Sequence, residues 1–328
     1  YGDHRDLHLS IRRQRQMCIR DSYHAATEIQ PQFTEAWINL SQALKLLGRF
    51  SQALEAAEQA VQLDPAQPSA WLAKGNALRG LNALNQAADA FRSGVLAAPG
   101  DRLLKVSLAN TTRELGQVPE AIRLLREAVE AHPDFAEAHR DLAHALLLNG
   151  EYREGWIENR WRWDTESLLN AKRHQAIPEW KGQPLTGKRI LLWDEQGFGD
   201  AIQFVRFVPW VAEMGAEVVL EVQPQLVRLF ETVAGVGEVI PRGAALPSVD
   251  YQASLLDLGG VFCSEPMSIP NETPYVCVGN EHRPATVNRL RVGLCWAGNP
   301  THENDRNRSM SFETLSPLLA VSYTHLRA

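Results

Sequence analysis

The stretch DEQGFGDAIQF, residues 194–204, sets one carboxylate, Asp200, behind two glycines and ahead of an apolar run with helical spacing. A carboxylate in such a turn has two chemical uses. It can take a proton from a substrate hydroxyl as a general base, or it can accept backbone N–H bonds and cap the helix it begins. Gly197 and Gly199 have the G-x-G spacing of a dinucleotide fingerprint, but the position that should be Gly or Ala for close helix packing is Ile202. No acidic residue closes the second strand in the expected way, Glu221 lying within it. No Gly-Lys-Ser/Thr comes after it, so the turn is not a P-loop.

The elements around this turn decide what it can reach. RILLWD from Arg189 reads as a short strand, AIQFVRFVPWVAEMG as helix, AEVVLEV as a second strand, PQLVRLFETVAG as helix and GEVI as a third strand. YQASLLDL and PYVCV read as further strands. Strands alternating with helices predict a parallel sheet with helical cover on both faces. Asp200 then lies beside the carboxyl end of the first strand, where open α/β sheets collect ligands. RVGLCWAGNPTHENDRNRSMSFETLSPLL opens as strand, polar loop and helix, which is how a second α/β domain begins.

Ahead of the sheet the chain repeats itself. Pro31, Pro65, Pro99 and Pro133 are 34 residues apart, and Trp37 with Trp71, Gly48 with Gly116 and Gly150, and Ala53 with Ala87, Ala121 and Gly155 keep the same register. A period of 34 residues is that of the tetratricopeptide repeat (TPR), a helix–turn–helix unit stacked into a solenoid. Units 34–67, 68–101 and 102–135 are complete, with a partial one before and a divergent one after. Leu40, Leu44, Leu47, Leu78, Leu81, Leu115, Leu142 and Leu146 are the expected core. The first helices of the units line a concave face suited to a protein or peptide. GWIENRWRWD carries Trp156, Trp161 and Trp163, expected to pack the solenoid's end against whatever follows it, with sugar stacking as the other use of such rings. TESLLNAKRHQ, which begins the next segment, reads as helical.

Composition narrows the partners. The opening YGDHRDLH and RRQRQMCIRDS and the closing VSYTHLRA read as translated sequencing adapter, so residues 1–22 and 321–328 are expected to be non-native and to stay out of the core. Without their six basic and three acidic residues the charge is 27 minus 36, or −9, instead of −6. That balance gives no electrostatic footprint for nucleic acid. Cys263, Cys277 and Cys295 have no CxxC spacing, which argues against a disulfide framework or zinc and for the cytoplasm, including the periphery of the inner membrane. No apolar run approaches the roughly 20 residues of a membrane span, so no transmembrane segment is expected.

EQGFGDAIQFVRFVP and WAGNPTHENDRNRS together carry a family resemblance. Over nearly all of residues 23–320 the sequence resembles bacterial proteins that join TPRs to a GT-B glycosyltransferase, heptosyltransferase-like (family 9 type) and similar in layout to O-GlcNAc transferases. The resemblance implies an α-helical TPR solenoid at 23–163, a linker at 164–188, a Rossmann-like GT-B N-terminal (acceptor) domain at 189–285 and the start of a truncated second Rossmann donor domain at 286–320. It implies that Asp200 is the catalytic base, with Gln196, Gly197, Gly199 and Gln203 in the acceptor loop. It further implies that Asn299, Thr301, His302, Arg306, Arg308 and Ser309 meet the donor diphosphate, a task for which basic side chains ahead of a helix are suited. The implied partners are a nucleotide sugar and a glycan, lipid-linked or protein acceptor. No metal or other cofactor is expected. A chain holding one wall of the cleft is expected to be inactive alone. The rival readings are an interaction scaffold with a degenerate α/β domain, and a dinucleotide oxidoreductase, which Ile202 disfavours.

Overall fold

The computed structural model describes residues 2–263, 265, 268–277, 294–298 and 305–319, with side chains from residue 14 onward except those of 306, 307, 318 and 319. The chain forms two compact units, Tyr1–Cys277 and Val278–Ala328.

The first unit begins with nine helices: α1 (Gly2–Ile29), α2 (Thr34–Leu46), α3 (Phe50–Leu63), α4 (Pro68–Gly80), α5 (Leu84–Ala97), α6 (Arg102–Glu114), α7 (Val118–Ala131), α8 (Ala136–Asn149) and α9 (Tyr152–Glu158). The 34-residue register becomes geometry at each step. Gly48, Gly116 and Gly150 have φ of 73°, 80° and 85°, and Asn82 holds the same register at 61°, the left-handed region that ends a helix. Ala53, Ala87 and Ala121 are fully buried, with Gly155 buried in the same register, so paired helices approach closely. The Trp37 and Trp71 indole N–H groups donate to the carbonyls of Pro31 and Pro65, at 2.9 and 2.8 Å, and His139 Nε2 makes the same bond to Pro133 at 2.8 Å. Helices α2, α4, α6 and α8 also touch one another in series, and so form the inner layer of the stack. Helix α1 crosses the 22/23 boundary without a break; of residues 14–22, only Gln16 and Arg20 are half-buried, the rest being exposed.

Four parallel strands come next: β1 (Arg189–Trp193), β2 (Glu217–Val222), β3 (Val236–Pro241) and β4 (Tyr251–Ser254), in the order β3-β2-β1-β4. One face, with Ile190, Leu192, Val218, Leu220 and Val222, packs on α10 (Phe198–Phe204), α11 (Val208–Glu213), α12 (Val227–Phe230) and α13 (Asp257–Phe262). The other, with Leu191, Trp193, Val219 and Ile240, is covered by Trp163, Leu168, Ile177 and Val249. Helical cover was expected on both faces, and among the described residues no α-helix contributes to the cluster on this second face. The cause is the β3–β4 connection, residues 242–250, which crosses the sheet as coil. The linker fills the gap, and Pro178 and Trp180 exchange backbone bonds with Gln252 along the outer edge of β4.

Other expectations also give way. TESLLNAKRHQ forms turns and no helix, because it lies flat on the sheet. AIQFVRFVPWVAEMG is interrupted by a 3-10 turn at Val205–Phe207, just before Pro209 near the start of α11. YQASLLDL is strand only to Ser254, and residues 274–277 of PYVCV form no strand. In the second unit, 294–298 are not strand either, and α14 (Asp305–Arg308) and α15 (Ser316–Leu319) are single turns.

Candidate functional site

The glycine turn is an exposed loop at the carboxyl end of β1. Gln196, Gly197, Gly199 and Gln203 are exposed and Asp200 is half-buried. Asp200 is the third residue of α10, and its Oδ2 accepts the Gly197 N–H at 3.2 Å. Its carboxylate thus takes the capping role, with one oxygen turned back on its own loop. The loop is braced from β2, where Gln223 Nε2 donates to the Gln196 carbonyl at 3.0 Å.

Beneath the loop the strand ends carry buried charge. Strands β1 and β4 are neighbours in the sheet, and Glu195 after β1 and Asp257 after β4 flank the crevice between their carboxyl ends. Arg162, from the 3-10 turn Asn159–Asp164 after α9, fills it. Its Nε and Nη2 form a fork on Glu195, both at 2.9 Å, and Nη2 also reaches Asp257 at 2.8 Å. Ser254 Oγ donates to Glu195 Oε2 at 2.5 Å. Burial pulls the Arg162 pKa down, but the bonds to Glu195 and the charge of Asp257 leave it raised overall. Asp257 is also raised, burial outweighing its bond to Arg162.

A second cluster lies over β1 and β2. Asp194 accepts from Arg242 at 2.6 Å and Arg173 at 3.1 Å, and its other oxygen takes the Gln223 N–H at 2.9 Å. Glu221, buried mid-face, is held by Arg173 and by His174 Nε2 at 2.8 Å. Burial, more than Arg242, holds Arg173 below the ordinary arginine value, while Glu221 opposes it.

Of the residues implied for the donor, Asn299, Thr301 and His302 lie outside the described residues, as does the Arg306 side chain. Arg308 is exposed on α14. Ser309 Oγ donates to Asp305 at 2.5 Å and accepts the Gly298 N–H at 2.8 Å, closing the loop on itself.

The inner layer of the solenoid is the other candidate. Gln42, Asn76, Asn110 and His144 recur at 34-residue spacing on α2, α4, α6 and α8, beside Lys45, Arg79 and Arg113 one turn on. Arg79 pairs with Glu114 across α4 and α6. Asn110 Nδ2 donates to Asp141 at 2.6 Å, and Arg140 covers the other Asp141 oxygen at 2.8 Å. Asn110 Oδ1 and Arg113 Nε are buried with no partner among the described residues. His144 is exposed at the groove wall, yet the surrounding mass holds its pKa below the ordinary histidine value; Asp141 opposes, and Arg140 and Arg113 reinforce, that shift.

Models of the tetratricopeptide repeat match residues 34–77 and 106–154. The helical half of the chain is a TPR solenoid. Protein FlbA of Caulobacter vibrioides is 38% identical over 94 residues, a match covering 27% of this chain and 15% of FlbA. A thermophilic TPR protein of Thermus thermophilus is 21% identical with a TM-score of 0.42, covering 47% of this chain and 84% of its own. PilW, a type IV pilus biogenesis factor, is 22% identical with a TM-score of 0.43, covering 49% and 74%.

TPRs bind proteins or peptides, and this solenoid offers an amide, an imidazole and guanidinium groups on one face. Reading the sequence located that face but missed its third and fourth units as the polar centre. The register alone could have aligned His139 with Trp37 and Trp71, and His144 with Asn110. It also missed Glu195 and Arg162, whose partners are far apart in the chain. Among the described residues no helix is long and apolar enough to cross a membrane.

Proposed function

We propose that the solenoid holds an extended peptide along α2, α4, α6 and α8, and that the α/β domain is the acceptor half of a glycosyltransferase. The observation carrying the first part is the orphan pair on α6. Asn110 Oδ1 lacks a donor and Arg113 Nε lacks an acceptor, three residues apart on one helix. Both atoms are closed off in the unliganded chain, so a peptide meets them only when the two side chains turn outward, its N–H then reaching the amide and its C=O the guanidinium. Peptides selected by display against the chain should lose about tenfold or more in affinity to Asn110→Ala and Arg113→Ala, read by calorimetry. Equal binding to both variants overturns the reading.

For the second part, support comes from the parallel strand order and from Asp200 standing where a substrate hydroxyl could meet it. In a full-length protein, Asp200→Asn keeps an acceptor for the Gly197 N–H but takes no proton, so turnover falls by roughly 10² to 10⁴ while stability holds. The present chain alone should show little affinity for nucleotide sugars. A scaffold reading fits the self-capped state of Asp200 equally well, and near-normal turnover of Asp200→Asn would select it.

A further inference from the structure

The helices of the solenoid divide by charge as well as by layer. Helices α2, α4, α6 and α8 together carry seven basic and four acidic residues, a net of +3. Helices α3, α5, α7 and α9 carry four basic and eight acidic residues, a net of −4. In a chain whose net charge is −6, the inner layer is thus basic and its outer cover acidic.

Most acids of the inner layer are already engaged. Glu114 pairs with Arg79, Asp141 takes Asn110 and Arg140, and Glu137 accepts the Glu166 N–H at 3.2 Å. Glu35 lies at the other end of α2 from Lys45, about 15 Å along the helix. Two cations are less committed. Lys45 is exposed and has no ion-pair partner among the described residues, and Arg113, half-buried with its Nε closed off, has none for its Nη groups. Arg79 keeps donors beyond those on Glu114, since a guanidinium has five N–H groups and the two side chains are 32% and 33% exposed.

Lys45, Arg79 and Arg113 make a row of one cation per repeat, on helices that touch in series. Helices in contact lie about 8–10 Å apart. A polyproline II segment turns once in three residues and rises about 3.1 Å per residue, so every third side chain returns to the same side after about 9.3 Å. A β-strand does not match, because its third residue on points to the opposite face. We propose that this row binds an acidic peptide segment in the polyproline II conformation, with Asp or Glu at every third position and one carboxylate for each of the three cations. The proposal rests on the reading of the groove as a peptide site and adds the class of peptide. A nucleic acid fits the row poorly, since phosphates about 3.4 Å apart along a strand are some three times too dense and would crowd Glu35 and Glu114.

The test is calorimetric titration of the whole chain, at low salt and near neutral pH, with the nine-residue peptide made of Glu-Pro-Pro three times over. Its controls are a peptide of the same composition with the three acids adjacent, versions with Gln or Lys in place of Glu, and a twelve-residue oligothymidylate. The period-three acidic peptide should bind saturably, several-fold more tightly than its clustered isomer. It should lose affinity as salt rises toward 1 M, where the screening length is about 3 Å. Lys45→Glu, at an exposed position, replaces a weak attraction by a repulsion of similar size, so it should weaken that peptide roughly 2- to 30-fold and leave the Gln peptide unchanged. Equal affinity for the clustered or the Gln peptide, tighter binding of the Lys peptide or the oligonucleotide, or no response to Lys45→Glu would overturn the proposal. If display-selected peptides bind through Asn110 and Arg113 while the acidic period has no effect, the peptide site stands and this specificity fails; if no peptide binds, both fail.

Discussion

Cys263 shows how burial sets reactivity at the scale of one residue. Its thiol is 4% exposed and burial pushes its pKa up to about 11. The thiolate is the nucleophile, so below that pH Cys263 stays protonated. In native alkylation near neutral pH, Cys18, Cys277 and Cys295, all exposed, should react while Cys263 is spared, as peptide mapping would show. Reaction of Cys263 at the same rate would mean that its pocket opens. At His144, exposed but crowded by its neighbours, the direction differs: that crowding holds its pKa down, so apo protein should titrate below the ordinary histidine range by NMR. A carboxylate-bearing peptide in the groove should move that titration upward. Asp200 was legible as a capping or catalytic carboxylate because glycines and acid are neighbours in sequence. Arg162 and its partners were not, since Glu195 and Asp257 lie 33 and 95 residues away and local pattern says nothing about such pairs.

Among elements, the solenoid was the most legible because each unit repeats its packing rule. Where the rule bends, two positions bend together. Ser41, Gly75, Ala109 and Ala143 share one register, and Ala57, Phe91 and Leu125 share another. The largest side chain, Phe91, faces the smallest partner, since a Cβ on Gly75 would fall within its ring. Gly75→Ala should therefore cost about 1 to 3 kcal/mol through overpacking, and Phe91→Leu should recover much of it in a double-mutant cycle followed by urea unfolding. Additive losses would place the strain elsewhere. The sheet was legible in its four strands and their parallel sense, but not in their order or in its cover. An alternating pattern reports that a face is buried, and does not report what buries it.

At the scale of the whole first unit, solenoid and sheet share one buried charge cluster and one apolar face. Arg162→Met leaves Glu195 buried without its guanidinium, a loss of roughly 3 to 5 kcal/mol by comparison with other broken buried pairs. Thermal unfolding of the wild-type unit should show helix and near-ultraviolet signals melting together, and the variant should separate them. A chain beginning at residue 186 should bind hydrophobic dyes, because Leu191, Trp193 and Val219 would lose Trp163, Leu168 and Ile177. The linker, read from sequence as a connector, is thus a wall of the fold. Its packing also gives the molecule a ruler. A flexible tether would present a groove-bound chain over a cloud of positions, with a local concentration set by its length. A packed segment presents it at one distance and one angle, so the number of residues between the part gripped on α6 and the part delivered to the sheet would be counted out by the protein itself.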